Sequence, residues 1–278
     1  MAFNTYSDIS SFVNTVWEDS MLVLREQGPM LGLVTNFADR SGMAVRTNAA
    51  YGTATINQIG EADDLASQAF TPSTDQTLTP YEYGAQFFMT DQRLESDIYA
   101  VRQDATMELG GAYGEKVDGL LAGLFSSFTG GSIGGTTLMT WNTFFGAETL
   151  LRIAKVPKPY VCVLSPAQYY SLGTQIGPGN TVTNSPQLQD EFARQFAVGN
   201  VGGIDIVIDA NIGTGVAVYG GMFNRNALAF DVRRAPRLEP ERDSSRRGWE
   251  LNFSSVFAYG VWRPAQGVYI YTSGSAPI

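Results

Sequence analysis

Residues 233 to 253 read RRAPRLEPERDSSRRGWELNF, and the first fifteen of them hold six of the chain's fifteen arginines. Working through the stretch, Arg237 to Arg242 has the character of a strand and Asp243 to Gly248 that of a polar turn. The return alternates: Trp249, Leu251, Phe253, Phe257 and Tyr259 fall on one face of a second strand. The segment is therefore expected to be a half-buried β-hairpin with a charged turn. Its arginines are Arg233, Arg234, Arg237, Arg242, Arg246 and Arg247, and its acids are Glu239, Glu241, Asp243 and Glu250. Near-balance of charge argues against a phosphate-binding patch and for pairing with carboxylates, within the chain or across an interface. The plain alternative is a solvated, salt-bridged turn, which contributes little.

The rest of the composition narrows the function classes. The chain has 278 residues, 44% apolar, with 30 glycines, 12% aromatics and a net charge of −9. That is enough apolar material for a large core, and the glycine and aromatic content favours mixed helix and strand. An acidic surface repels nucleic-acid backbones except where basic residues gather. There is no histidine and one cysteine, Cys162, so histidine-dependent nucleophile triads, histidine-ligated zinc, cysteine metal clusters and intramolecular disulfides are all excluded. No run of about 18 apolar residues is present, and the N-terminal stretch lacks a basic region of the signal-peptide kind. A soluble protein without a membrane partner is expected.

Along the chain, Ile9, Phe12, Val13, Val16, Trp17, Met21 and Leu24 recur at helical spacing between Asp8 and Arg25, and Gly28-Pro29 ends that helix. Two strand-like runs follow, Gly52 to Ile59 and Leu78 to Met89. The polar stretch EADDLASQAFTPSTDQT between them suits no core, and it predicts a two-stranded arm leaving the body; ten extended residues reach about 33 Å. An isolated hairpin is marginal in water, so the arm needs something to lie on, and another copy of the chain is the economical candidate. Residues 91 to 125 predict a helix about 45 Å long, a spine across the body, with a bend near Gly110-Gly111. Residues 134 to 231 then alternate short helices and strands: a helix from Trp141 to Ile153, a strand ending at Leu164, helices opened by Ser165-Pro166 and Ser185-Pro186, and strands at Ile204 to Ile208, Val216 to Gly220 and Ala227 to Phe230. A last strand runs from Gly267 to Thr272.

No chemistry-bearing constellation stands out. Cys162 lies in an apolar strand and reads as a core residue. The glycine runs at 130 to 135 and 213 to 221 match neither phosphate-binding pattern and read as connections. Glu61, Asp63 and Asp64 lack calcium-loop spacing and read as a solvated arm tip that could meet a neighbour. No spacing singles out a catalytic carboxylate pair, and no cofactor or metal is implied. The sequon at Asn252 falls in a strand and is taken as chance.

The order of parts, together with PYVCVLSPAQYYSLGTQI, GGIDIVIDANI and NRNALAFDVRRAPRLEPERDSSRRGWELNFSSVFAYGVWRP, resembles the major capsid protein of tailed bacteriophages. That is the Hong Kong 97-type α+β fold, shared with encapsulin shells. The resemblance implies an N-terminal arm at 1–47, an extended E-loop at 48–90, a peripheral (P) domain from 91–133 with 232–278, and an axial (A) domain at 134–231. It implies a non-enzymatic protein that assembles with itself into pentamers and hexamers of an icosahedral head around double-stranded DNA, in the host bacterial cytoplasm. An encapsulin-type shell around protein cargo is the near alternative, and a soluble carboxylate-dependent enzyme or carbohydrate-binding protein the distant one. Some relatives weld their shells through an E-loop lysine, but Lys116, Lys155 and Lys158 are the only lysines and none lies on the arm, so no such crosslink is expected. Expected partners are further copies, a separate scaffold, a portal and decoration proteins. The inter-subunit contact candidates are the six arginines with Glu239, Glu241 and Asp243, and the acids Glu61, Asp63 and Asp64 of the arm.

Overall fold

The computed structural model describes residues 29–51, 55–59, 64, 67–68, 72–96, 101–175, 199–213 and 215–274. The expected helices at Asp8 to Arg25 and Gln187 to Phe196, and the acids Glu61 and Asp63, lie outside the described residues. Three sheets carry the architecture. Strands β1 (Thr35–Phe37), β2 (Arg46–Tyr51), β3 (Pro72–Leu78) and β4 (Tyr81–Thr90) precede a helical stretch, Asp91–Ser96 and Val101–Ala122, the latter being the spine helix. After it come β5 (Ser132–Gly134), a helix at Trp141–Ile153, β6 (Tyr160–Leu164), a helix at Pro166–Gly173, β7 (Asn200–Val201), β8 (Ile204–Ile208), β9 (Gly215–Asn224), β10 (Leu228–Asp243), β11 (Gly248–Val261) and β12 (Gly267–Gly274).

The expected hairpin is the centre of a four-stranded sheet ordered β1-β10-β11-β4. The expected strands at Ala227 to Phe230 and Arg237 to Arg242 are one 16-residue strand, β10. Its register against β11 shifts between Val232 and Arg234 and again between Arg234 and Arg237, spanning Pro236, which has no N–H to give a ladder. On the spine helix Leu109, Tyr113, Val117 and Leu121 stand at four-residue intervals and are buried. They close over Leu251, Phe253 and Phe257 of β11 in one apolar cluster. The Tyr113 ring lies edge-on to Phe253 and Phe257 at 5.5 and 5.7 Å, and Tyr83 stacks on Phe257 at 4.3 Å.

The middle section is a six-stranded sheet ordered β5-β12-β9-β6-β8-β7. Thr140 caps the 141–153 helix by accepting from the Thr143 N–H, and Ser165 with Gln168 makes a reciprocal capping box on the next helix. Trp141, Phe144, Ala147 and Leu151 bury one helical face on Cys162, Leu164, Met222, Val268 and Ile270. Helix and strand bounds here match the sequence expectation closely, because caps and apolar runs are local signals.

Four expectations need correcting. The first arm strand is Arg46–Tyr51, not Gly52 to Ile59: residues 55–59 carry no strand, and Ile56 there is 97% exposed. The run from Leu78 to Met89 is two strands split at Thr79-Pro80, and its second half pairs with β11 in the body. The helical span expected at 91 to 125 is described as Asp91–Ser96 and Val101–Ala122, and it ends at Ala122, ahead of a 3-10 turn at Phe125–Ser127. The closing strand β12 joins the middle sheet between β5 and β9, because alternate residues Val268 and Ile270 fill the core under the 141–153 helix.

Candidate assembly surface

The arginine stretch is largely paired within its own chain. Arg242 grips Asp91, the first residue of the helical stretch, through two bonds of 2.8 Å, and its guanidinium stacks over Trp249. That grip holds the Asp91 carboxyl below the usual range and raises Arg242. Arg234 donates to Glu82 of β4, and Arg237 lies 3.3 Å from Glu239. Asp243 folds the turn by accepting from the Ser245 hydroxyl and the Ser245 and Arg246 N–H groups, which lowers its pKa. Arg246 stands 3.7 Å from both Asp243 and Glu250, with its charge over the Phe88 ring.

Arg233 departs most from the surface role expected of it. Its side chain is 1% exposed and its Nη2 lies 2.9 Å from the buried Asp231 carboxylate. It is an internal residue of the arm's root rather than a contact for a neighbour. Arg247 and Glu241 remain exposed, with no side-chain partner among the described residues. The Arg247 backbone turns through φ 52° while its carbonyl accepts from the Asp91 N–H. Asp64 is exposed on the arm.

The arm is a separate two-stranded sheet, β2 against β3, from the root pair Arg46 and Leu78 to Tyr51 and Pro72. Beyond it Gln68 ties the two sides, accepting from the Thr55 N–H at 2.8 Å and donating to the Thr55 carbonyl. Residues 55–59 are exposed throughout, with Ile56 and Ile59 uncovered. Apolar side chains at the end of an extended arm are unexplained within one protomer and point to a second surface.

Inside the body, a buried acid pair that the sequence did not reveal joins the spine helix to the loop after β8. Asn211 bridges it, its N–H to Asp209 at 2.8 Å and its amide to Asp118 at 3.3 Å, while the Met30 N–H also donates to Asp118. Burial, with the charge of Asp209, pushes Asp118 up to about 6, and burial raises Asp209 as well. Cys162 is wholly buried and its thiol is pushed far up, leaving no reactive thiolate. Surface depressions beside the spine helix and around Tyr219, Tyr269 and Tyr271 are open, and the described residues contain no group of three or more acidic or cysteine ligands fit for a metal.

The family model for phage capsid proteins matches residues 73–270, most of the chain. The chain belongs to the phage capsid protein family. No curated protein sequence matches it. Among solved structures, this capsid protein is similar to a chain of Mycobacterium phage Che8, at 19% identity and TM-score 0.70, covering 88% of this chain and 91% of that one. It is similar to a chain of the cyanophage P-SCSP1u capsid, at 17% identity and TM-score 0.67, covering 87% of each. It is similar also to a virus-like particle from Pyrococcus furiosus, at 12% identity and TM-score 0.63, covering 93% of this chain and 99% of that one. The mixed helix-and-strand architecture is thus the Hong Kong 97-type capsid fold, and the capsid protein's role is to form a shell, the capsid of a virion.

The capsid protein's buried groups were the hardest to foresee. Asp118 and Asp209 are distant in sequence, and only the adjacency of the spine helix to the post-β8 loop makes them a pair. Arg46 and Asp231 are likewise far apart and carry no local motif.

Proposed function

We propose that this capsid protein forms pentamers and hexamers that close with icosahedral symmetry, each arm lying across the body of a neighbouring copy, around double-stranded DNA. The observation that carries this is the arm itself: a freestanding strand pair whose end is exposed and bears Ile56 and Ile59. A lone two-stranded ribbon buries too little to stand alone, and a closed shell gives every arm the same partner surface. In this scheme residues 1–34 serve as N-terminal arm, 46–78 as E-loop, the β1-β10-β11-β4 sheet with the spine helix as peripheral domain, and the six-stranded sheet that includes β12 as axial domain.

The contact on the neighbour draws on Arg246 and Arg247 of the hairpin turn and Glu241 at the end of β10, all exposed, and on Asp64 with Glu61 and Asp63 of the arm. The shell is held without lysine-asparagine welds, because the arm carries no lysine, and a net charge of −9 keeps a container wall from trapping its polyanion. A separate scaffold, a portal and decoration proteins complete the head, and assembly proceeds in the host bacterial cytoplasm. A shell around protein cargo uses the same architecture, and its contents distinguish it.

The test is assembly of the purified chain with its scaffold, followed by nuclease digestion and extraction of particles from infected cells. Nuclease-protected DNA, and a capsid protein that runs on a denaturing gel only at its monomer mass of 30.1 kDa, are expected. Protein cargo without DNA overturns the DNA-container role, and a ladder of high-mass bands overturns the uncrosslinked shell.

A further inference from the structure

We infer that Asp231 is the positioning residue that aims the arm, through a buried ion cluster at the arm's root that belongs to neither apolar core. Asp231 sits on β10, paired with Phe37 of β1 on one side and Ala258 of β11 on the other, and is fully buried. Its Oδ2 accepts from Arg46 Nε at 2.7 Å, and Arg233 Nη2 stands 2.9 Å from the same oxygen. Arg46 is the first residue of the arm and is 7% exposed. Its guanidinium lies 4.3 Å over the Phe37 ring and its far nitrogen donates to the exposed Asp39. One arm residue is therefore clamped on three sides by groups of the body.

Opposite Arg46 in the arm's ladder stands Leu78, also fully buried. It packs on Ala229 and Ala258, flanked by Phe37 and Trp262. Gly260 makes the seat, since a Cβ there would approach Leu78 Cδ2 to 2.7 Å. A third tether is Asn48, whose amide donates to the Trp262 carbonyl at 2.8 Å. The apolar seat fixes where the arm leaves the body. The directional bonds to Asp231 resist its swinging about that seat, because a planar guanidinium tolerates little rotation about its acceptor.

Arg233 shows that the cluster is organised around Asp231. Its Nε, Nη1 and Nη2 make no hydrogen bond although they are buried, so the ion contact with Asp231 is what offsets its charge. Two buried guanidinium groups depend on one buried carboxylate. Removing that carboxylate leaves Arg46 held only by the exposed Asp39 and the Phe37 ring, and strands Arg233.

Amide hydrogen exchange on the unassembled chain, comparing Asp231→Asn and Arg46→Lys with the native protein, tests this. Asp231→Asn is expected to raise exchange at residues 46–51 and 73–78 at least tenfold while amides of the spine helix stay within twofold. Arg46→Lys, which keeps the charge and loses the fork, is expected to show the same pattern more weakly and serves if Asp231→Asn does not fold. Equal increases throughout the body would make Asp231 a general stabiliser, and unchanged arm exchange in both variants would remove it from the arm; either overturns the inference. The consequence for shells rests on the arm lying across a neighbour. Exchange before assembly does not, so a failure of the anchor and a failure of that contact are separable.

Discussion

The hairpin β10–β11 and the arm β2–β3 are both antiparallel pairs, and their surroundings could hardly differ more. The hairpin is flanked by β1 and β4, covered by the spine helix, and buries Leu238, Leu251, Phe253 and Phe257. Among the described residues the arm has no third strand, and the sequences of its strands, RTNAAY against PSTDQTL, are largely polar. In the hairpin, pairing and burial support the same register. In the arm, pairing survives on the buried root formed by Arg46 and Leu78, and the far end at residues 55–59 is exposed. Strand pairing alone thus does not distinguish a core element from an assembly element; what lies on its faces does.

Substitutions sharpen this contrast, beginning with the largest effect on folding. Phe257→Ala should cost about 3–5 kcal/mol in denaturant unfolding, since it empties the centre of a fully buried aromatic cluster. A loss under about 1 kcal/mol would mean that the hairpin is not the body's core.

A second effect belongs to the body alone. Asp118 binds its proton more tightly folded than unfolded, so its contribution to stability is present below pH 4 and is lost as pH rises through about 6. Asp118→Asn should flatten that decline and raise stability at pH 7 by an amount on the order of 2–3 kcal/mol. Urea midpoints between pH 4 and 7 measure it. The exposed carboxyls of Asp39, Asp91 and Asp243 act in the opposite sense, their ion pairs and hydrogen bonds fading as the pH falls below the ordinary carboxylate range.

On the arm, Ile56→Asp should leave the unfolding midpoint unchanged within about 0.5 kcal/mol while abolishing shells seen by sedimentation. Charge reversal at Arg246 and Arg247 should behave similarly, impairing assembly more than folding; normal shells with both reversed would make the turn merely solvated. The smallest effect is Arg242→Ala, a slight lowering of the melting temperature that added salt erases, because the pair with Asp91 is exposed.

The same contrast explains what the sequence revealed. The alternation from Trp249 to Tyr259, the helical periodicity around Leu109 to Leu121 and the Ser165 cap are local patterns, and each became the element it indicated. The arm's existence was legible from polarity, but its bounds were not: Ile56 and Ile59 mimic a strand face, while the residues that fix the root, Arg46, Leu78 and Asp231, are joined only by tertiary contact. The arginine stretch was legible as a balanced set, and its partners split between sequence neighbours such as Asp231, Glu239 and Glu250 and remote acids such as Glu82 and Asp91, which no spacing announces. Pairing within the chain leaves Arg247 and Glu241 as the members most open to a neighbour.

Electron cryo-microscopy of particles assembled from the purified chain tests the central claim most directly. Closed shells of five- and six-membered rings, with density for each arm continuing across the hairpin body of an adjacent copy, are the predicted result. A persistent 30.1 kDa monomer under assembly conditions, or shells in which the arm folds back on its own body, would contradict it.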